Sequence, residues 1–487
     1  MGGRTLLLGA VLVSSLALFL RPVTDTDFWF HAATGRWIVE HGRLPAHDLF
    51  TYTVAGHRWV NHEYLTEVLL WLLQARAGLV GVAVVFGALT WLGLVLVVAA
   101  CGPRHRPYVI VGLAASLAAL AGGPIWGARP QMVTFVFAAL ELLWLRRSME
   151  HDHGRGRAIL WLPALMVLWS NLHGGWPAGL LFLGIALAVE GGRWLRDRSA
   201  EHRSRLRLLA LAGGLSILAI GLNPNGPAIY TYPFETLTSA AQQSLIREWA
   251  SPDFHLTVLR PFELMVVLLV AGLALGRPTA FDLLVALAGL ALALESARHV
   301  PIFLAAATPV LVATWSDVWR RRVAPVLPAL TGAAPPRWAP ALTTIVLLAV
   351  AGTIGLRIAG QLAQQTAVTA QIAPVGAADW LAAHPQVGTR MFNEYSWGGY
   401  LADRFAPDRR RAVFISSEGV LMGDAQLYRY QQVAALHPGW QGVLDQDRVD
   451  YVVVGRGSAL DVVLTTEPGW RLAYRDATAV IYVRTPA

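Results

Sequence analysis

Two aspartates two residues apart, Asp25 and Asp27 in "TDTDFWFHAATGRW", are the first residues of the chain whose type and spacing suit chemistry. A carboxylate can take a proton from an incoming hydroxyl or hold a hard divalent cation. His31 follows one helical turn after Asp27, and "HRWVNHEYLTE" places Glu63 and Glu67 four residues apart, on one face of a helix that Asn61 can cap. Each feature also has a plainer account. Asp25 and Asp27 suit helix capping, Glu63 suits a first turn, and His31, His57 and His62 read as surface histidines because no H-x-x-x-H or H-E-x-x-H spacing joins them. A D-x-D pair alone does not specify a cation, so a divalent metal stays unassigned.

A second group is cationic or amide-bearing. "GARPQM" carries Arg129; "WSNLHGGWP" carries Asn171 and His173; "IREWASPDF" carries Glu248 and Trp249; "ESARHVP" carries Glu295, Arg298 and His299. One arginine at the end of a membrane span needs no explanation beyond snorkelling to water. Taken together, Arg129, His173, Arg298 and His299 suit the phosphate of a lipid-linked substrate, held by charge-assisted hydrogen bonds. Trp249 offers a face for a sugar ring, although most of the 19 tryptophans read as interfacial belt. Asn223, Pro224, Gly226 and Pro227 in "LNPNGPAIYTYPFE" read as turn residues.

The elements that must position these residues are membrane helices. With 55% hydrophobic and 14% charged residues and a mean hydropathy of +0.48, the chain is too apolar for an ordinary soluble domain. Eleven apolar runs fall at 6–20, 79–100, 108–121, 133–145, 159–169, 176–189, 206–222, 262–275, 281–294, 300–315 and 342–358. The first has no small-residue cleavage site after it and reads as an uncleaved span with its N-terminus inside. Arginine then sorts to the cytoplasmic loops, in "CGPRHRP", "RRSMEHDHGRGR", "GGRWLRDRSAEHRSRLR" and "DVWRRRVAP". The net charge of +8 thus reads as topology and contact with anionic lipids, not as nucleic-acid binding. All 39 basic residues are arginine, which suggests a GC-rich bacterial genome, and the single Cys101 allows no intrachain disulfide and reads as core filler.

The outer elements follow from this sorting. "EYLTEVLLWLL" at 63–73 is laid along the interface, since counting it as a span would invert every later loop. From Asp27 an amphipathic helix is expected in the headgroup region, with Trp29, Ala33 and Trp37 on one face, Asp27, His31 and Thr34 elsewhere, and Gly42 and Pro45 ending it. Residues 1–360 form the transmembrane domain, with 21–77 as an ordered first external loop, and 361–487 an extracytoplasmic α/β domain with strands at "AVFIS", "YVVVG", "WRLAYR" and "AVIYVR". "NEYSWGGYLADRF" suggests a tight turn or docking surface there. The fold class is a polytopic α-helical membrane protein of about eleven spans plus this domain. No period of about 20 to 50 residues stands out in the chain, and no phosphate loop or nucleophile elbow is expected in the outer domain. Ionisable groups gather at outer span ends, with Glu141 an exception inside a span, so a transporter ranks behind the other readings.

This combination resembles the GT-C glycosyltransferases: an acidic ordered first external loop, about eleven spans and an external α/β tail. More narrowly, "DTDFWFHAATGRWIVEHGRLPAHDLFTYTVAGHRWVNHEYL", "RPQM", "WSNLHGG", "LNPNGPAIYTYPF", "REWASPDF" and "NEYSWGGYL" resemble a widespread set of bacterial multispan proteins often grouped with that superfamily, along nearly the whole chain. The resemblance implies an inverting transferase of the bacterial plasma membrane that moves a sugar from a polyprenyl-phosphate carrier to an extracytoplasmic glycan, lipid or protein. It implies Asp25 or Asp27 as general base, with Glu63 positioning the acceptor or a metal. It also implies Arg129, His173, Arg298 and His299 on the carrier phosphate, with His31, Asn171, Glu248, Trp249 and Glu295 completing the substrate site. A second-loop D-x-D and a sequon-binding motif are not recognisable. The alternative is a non-catalytic scaffold or lipid-glycan-binding protein on the same fold.

Overall fold

The computed structural model describes residues 3–102, 107–149, 155–325, 338–405 and 411–485. The chain resolves into two compact units, each discontinuous in sequence. A helical unit comprises Met1–Arg21, Ala83–Gly226 and Glu248–Leu362; a mixed unit comprises Pro22–Val82, Pro227–Arg247 and Ala363–Ala487.

In the helical unit the apolar runs are helices: Gly3–Phe19, Tyr108–Ala121, Gln131–Met149, Leu162–Leu172, Trp176–Asp197, Ala200–Ile220, Arg260–Leu275, Ala280–Glu295, Val300–Val318 and Ala339–Leu362. The run at 79–100 belongs to the helical segment Tyr64–Ala100, which breaks at Gly78, where φ of 63° with ψ of −174° suits only glycine. The break separates the 63–73 segment from the run that follows it. Among the described residues five helices are long and apolar enough to cross a membrane: Tyr64–Ala100, Trp176–Asp197, Thr257–Leu275, Ala297–Val323 and Pro340–Leu362. Others are shorter. The expected run at 159–169, for example, is a 3-10 turn, Arg155–Trp161, followed by a helix that Pro163 initiates.

Val300–Val318 lies at the centre of this unit, packed by Ala280–Glu295, Gln131–Met149, Arg260–Leu275 and Tyr108–Ala121 and buried along most of its length. Its threonines bond their own backbone: Thr308 and Thr314 hydroxyls donate to carbonyls four residues earlier, which satisfies both groups within the apolar core. Large apolar side chains such as Leu113, Val267, Leu218 and Leu356 point outward, as they do where the solvent is hydrocarbon. Cys101 is buried and donates to the Val97 carbonyl.

The mixed unit holds a four-stranded sheet: β1 (Met391–Asn393), β2 (Tyr451–Gly455), β3 (Trp470–Arg475) and β4 (Ala479–Arg484), in the order β1-β2-β4-β3. β1 runs parallel to β2, with Asn393 opposite Val453; β4 is antiparallel to both β2 and β3. Three of the four expected strands thus form as read. "AVFIS" does not become a strand; it is extended, with isolated bridges at Ala412 and Val413. The cause is Asn393, whose Oδ1 accepts the N–H groups of Phe414 (2.8 Å) and Ile415 (3.3 Å) while Nδ2 donates to the Ile415 carbonyl (3.0 Å). One side chain replaces a neighbouring strand there. In "NEYSWGGYL" Gly398 and Gly399 are buried against the backbone of Ile415 and Phe30, where any Cβ would overlap main-chain atoms. The motif is therefore a close-packing device.

Candidate functional site

The first loop builds one cluster. The helix Phe28–His41 starts where Asp25 Oδ1 accepts the Asp27 N–H at 3.1 Å, and it ends on Gly42, whose φ of 64° lets its N–H cap the Ile38 carbonyl. One turn beyond His31 sits Gly35, where a methyl group would overlap the Glu67 carbonyl. Glycine therefore lets this helix press against the segment 63–67. His31 Nδ1 then lies 3.4 Å from Glu67 Oε1 and 3.8 Å from Glu63 Oε2, and Asn61 Nδ2 donates to Glu67 Oε2 at 2.6 Å. His62 Nε2 reaches Glu63 Oε1 at 2.7 Å and its ring packs, tilted by 33°, against Tyr232, whose hydroxyl donates to Glu418 at 3.0 Å.

Two expectations are corrected. His31 and His62 are buried, not surface histidines, because each meets a carboxylate that needs its charge. The polar side of the Phe28–His41 helix, with His31 and Thr34, is buried as well, while Trp37 is only half-buried. Of His31, His57 and His62 only His57 is exposed.

The electrostatics follow from crowded carboxylates. Burial pushes the His31 imidazole down, but the hydrogen bond it donates to Glu67 and the charges of Glu63, Glu67 and Asp27 outweigh it and raise it to about 9. His62 is likewise raised: burial opposes, and Glu63, Glu418 and Glu67 prevail. Burial also raises the Glu67 and Glu418 carboxyls, against the pull of His31 and His62 respectively. His31, His62, Glu67 and Glu418 thus each hold a proton more tightly than they would in water. Among the described residues no group of three or more His, Cys, Asp or Glu is arranged to hold a metal ion.

The helical unit builds a second cluster with the opposite balance. Glu248 bridges two cations: Arg129 Nη1 donates to one carboxylate oxygen at 2.5 Å and Arg298 Nε to the other at 3.0 Å. Arg298 also lies over the Trp249 ring, 4.9 Å from its centroid, and with its amide oxygen turned inward Gln131 accepts from Arg298 Nη2 at 3.1 Å. The backbone fixes this geometry. Arg298 N–H donates to the Glu248 carbonyl, Ala297 N–H to that of Ala250, and Ser296 Oγ to that of Glu248. Burial pushes the Glu248 carboxyl up, but Arg129 and then Arg298 overcome it and hold it at about 2. His299 Nδ1 lies 3.1 Å from the Leu292 carbonyl and its ring meets Trp249 edge to face.

The remaining predicted residues are placed elsewhere in this unit. His173 Nδ1 contacts Thr134 Oγ1 at 2.6 Å and accepts from Gly175 N–H at 3.1 Å. Asn171 is buried and ties the Val167 and Leu222 carbonyls, a loop-holding arrangement. Glu295 is exposed at a helix end. Glu141 is fully buried with no hydrogen-bond partner among the described residues, its carboxyl filling the notch at Gly179 beside Met166 and Trp169. Gln131, Tyr232, Glu418 and Thr134 were not singled out from the sequence. Only Gln131 carries a sequence signal, lying two residues from Arg129 in "RPQM".

No family model and no curated protein matches the sequence. The fold does have known relatives. ArnT from Cupriavidus metallidurans in the apo state superposes with a TM-score of 0.53 at 15% identity, covering 97% of this chain and 96% of that one. The archaeal oligosaccharyltransferase AglB from Archaeoglobus fulgidus, solved with an inhibitory peptide and a dolichol-phosphate, superposes with a TM-score of 0.55 at 12% identity, covering 98% of this chain and 74% of that one. The chain has the multispan fold of the GT-C glycosyltransferases.

Proposed function

We propose that this chain is an integral membrane glycosyltransferase that moves a sugar from a polyprenyl-phosphate carrier to a hydroxyl-bearing extracytoplasmic acceptor. The observation that carries the reading is the Arg129–Glu248–Arg298 cluster: two guanidinium groups share one carboxylate, which leaves a net positive site suited to a phosphate. The GT-C fold supports it, as does the dolichol-phosphate bound by AglB.

In the reaction the acceptor oxygen bonds to the anomeric carbon as the bond from that carbon to the carrier phosphate oxygen breaks, with inversion. The electron pair leaves on the phosphate, where Arg129 and Arg298 offset the charge, and the acceptor proton passes to a carboxylate. Asp27 is the better base of the two aspartates. Asp25 already accepts the N–H that starts the helix, whereas the Asp27 charge acts on the His31 imidazole and helps to raise it. Glu63 positions the acceptor with His62. The N-terminus is cytoplasmic, the mixed unit extracytoplasmic, and the membrane a bacterial plasma membrane.

The test is transfer of radiolabelled sugar from a panel of polyprenyl-phosphate sugars in membranes carrying wild type, Asp25→Asn, Asp27→Asn or Arg298→Ala protein. Asp27→Asn is expected to lower turnover by about 10²- to 10⁴-fold at unchanged protein level, and Asp25→Asn by much less. Turnover that survives Asp27→Asn and Arg298→Ala would remove this assignment.

A further inference from the structure

"WSNLHGGWP" contains a histidine whose hydrogen-bonding state can be read from its neighbours. Gly175 N–H is a backbone donor, and it points at His173 Nδ1 from 3.1 Å, so that nitrogen carries a lone pair. The buried Thr134 hydroxyl agrees. It accepts from Trp169 Nε1–H at 2.8 Å, which leaves its own proton for His173 Nδ1 at 2.6 Å. An imidazolium, or the other tautomer, would set a ring N–H against the Gly175 N–H. The site has no room for a different partner at Gly175, because a methyl there would overlap the Thr134 side chain.

We infer that Thr134 and Trp169 are positioning residues that hold His173 as the neutral Nε2–H tautomer, a fixed hydrogen-bond donor and not a general acid. The ligand class that Nε2–H recognises is an oxygen acceptor, and on the proposed function above, on which this inference rests, that is a phosphoryl oxygen of the carrier. The fully buried Trp169 indole is the anchor: its N–H orients the threonine, the threonine orients the imidazole, and Gly175 completes the lock. The two glycines after His173 thus acquire separate meanings, with Gly175 serving close approach.

The experiment is ¹⁵N NMR of histidine-labelled protein in phosphatidylcholine nanodiscs at neutral pH, with His173→Gln to assign the signal, alongside KM and kcat for polyprenyl-phosphate sugar. His173 is expected to show a protonated Nε2 and an unprotonated Nδ1 in wild type and in Thr134→Ser. Thr134→Val is expected to give a tautomer mixture and a KM about tenfold higher with kcat changed less, and Trp169→Phe the same in weaker form. A protonated Nδ1 in wild type, or an unchanged signal in both Thr134→Val and Trp169→Phe, overturns the inference. The expected tautomer with unaltered polyprenyl-phosphate binding in His173→Ala overturns the carrier assignment alone.

Discussion

The two charged clusters are opposites built from the same parts. In the helical unit two arginines surround one carboxylate, and Glu248 is held at about 2; in the mixed unit several carboxylates surround two histidines, and His31 is raised to about 9. Burial is a cost to charge in both. The difference lies in which sign is in the minority, because the minority group is the one stabilised in its charged form from both sides. A cationic cluster with one internal carboxylate is ready for an anion, and a carboxylate cluster with internal cations is ready for a proton.

The largest break in this comparison should come from Arg298→Ala. It leaves Glu248 with a single cation in a partly buried place, and removing one partner of such a pair costs roughly 3 kcal/mol. The measurement is thermal unfolding in detergent. The loss should shrink in the double variant with Glu248→Gln, since that carboxylate no longer needs a partner.

Next comes pH, which should act on the clusters from opposite ends. The His31 imidazole is raised above its unfolded value of 6.5, so its contribution is complete below that pH and is lost as pH rises through about 9. The full contribution is on the order of 3 kcal/mol. Glu248 is depressed below 4.5, so its contribution is complete above that pH and is lost as pH falls through about 2. Hydrogen exchange, corrected for intrinsic rates, should therefore show residues 61–67 loosening toward alkali and residues 248–250 toward acid. Loosening of both on the same side would contradict the charge balance described above.

Gly35→Ala tests whether close approach builds the carboxylate cluster. The methyl meets main chain, which cannot turn aside, so a cost of about 1–3 kcal/mol is expected, with a lower His31 titration point by NMR as Glu67 moves away. The smallest effect should be that of Glu248→Gln on polyprenyl-phosphate binding. Two arginines freed of a competing carboxylate should hold the phosphate a few-fold more tightly, read by isothermal titration at constant salt.

Much of the fold was legible because its causes are local. Apolar runs, Gly42 at a helix end and β-branched segments at 451–455 and 479–484 act over a few residues, and each formed the element expected. "AVFIS" failed as a strand for a non-local reason: Asn393, some twenty residues earlier, supplies the hydrogen bonds that a neighbouring strand would have. The site divides in the same way. Arg129 and Arg298 were visible as unusual charges at span ends and Glu248 beside Trp249 in a loop, but the sharing of one carboxylate was not, since it joins residues 119 and 50 apart in sequence. Glu418 and Tyr232, separated by 186 residues, gave no sequence signal that they would meet.

By itself, then, the sequence determined which segments are apolar, the helices and most strands, and the residue types available for chemistry, because hydropathy and backbone preference are properties of short segments. Only the tertiary structure decided charge states and tautomers. A histidine's proton depends on which carboxylate or N–H stands within about 3 Å of it, and that is set by packing between distant segments, here by Gly35 against Glu67 and by Gly175 against Thr134.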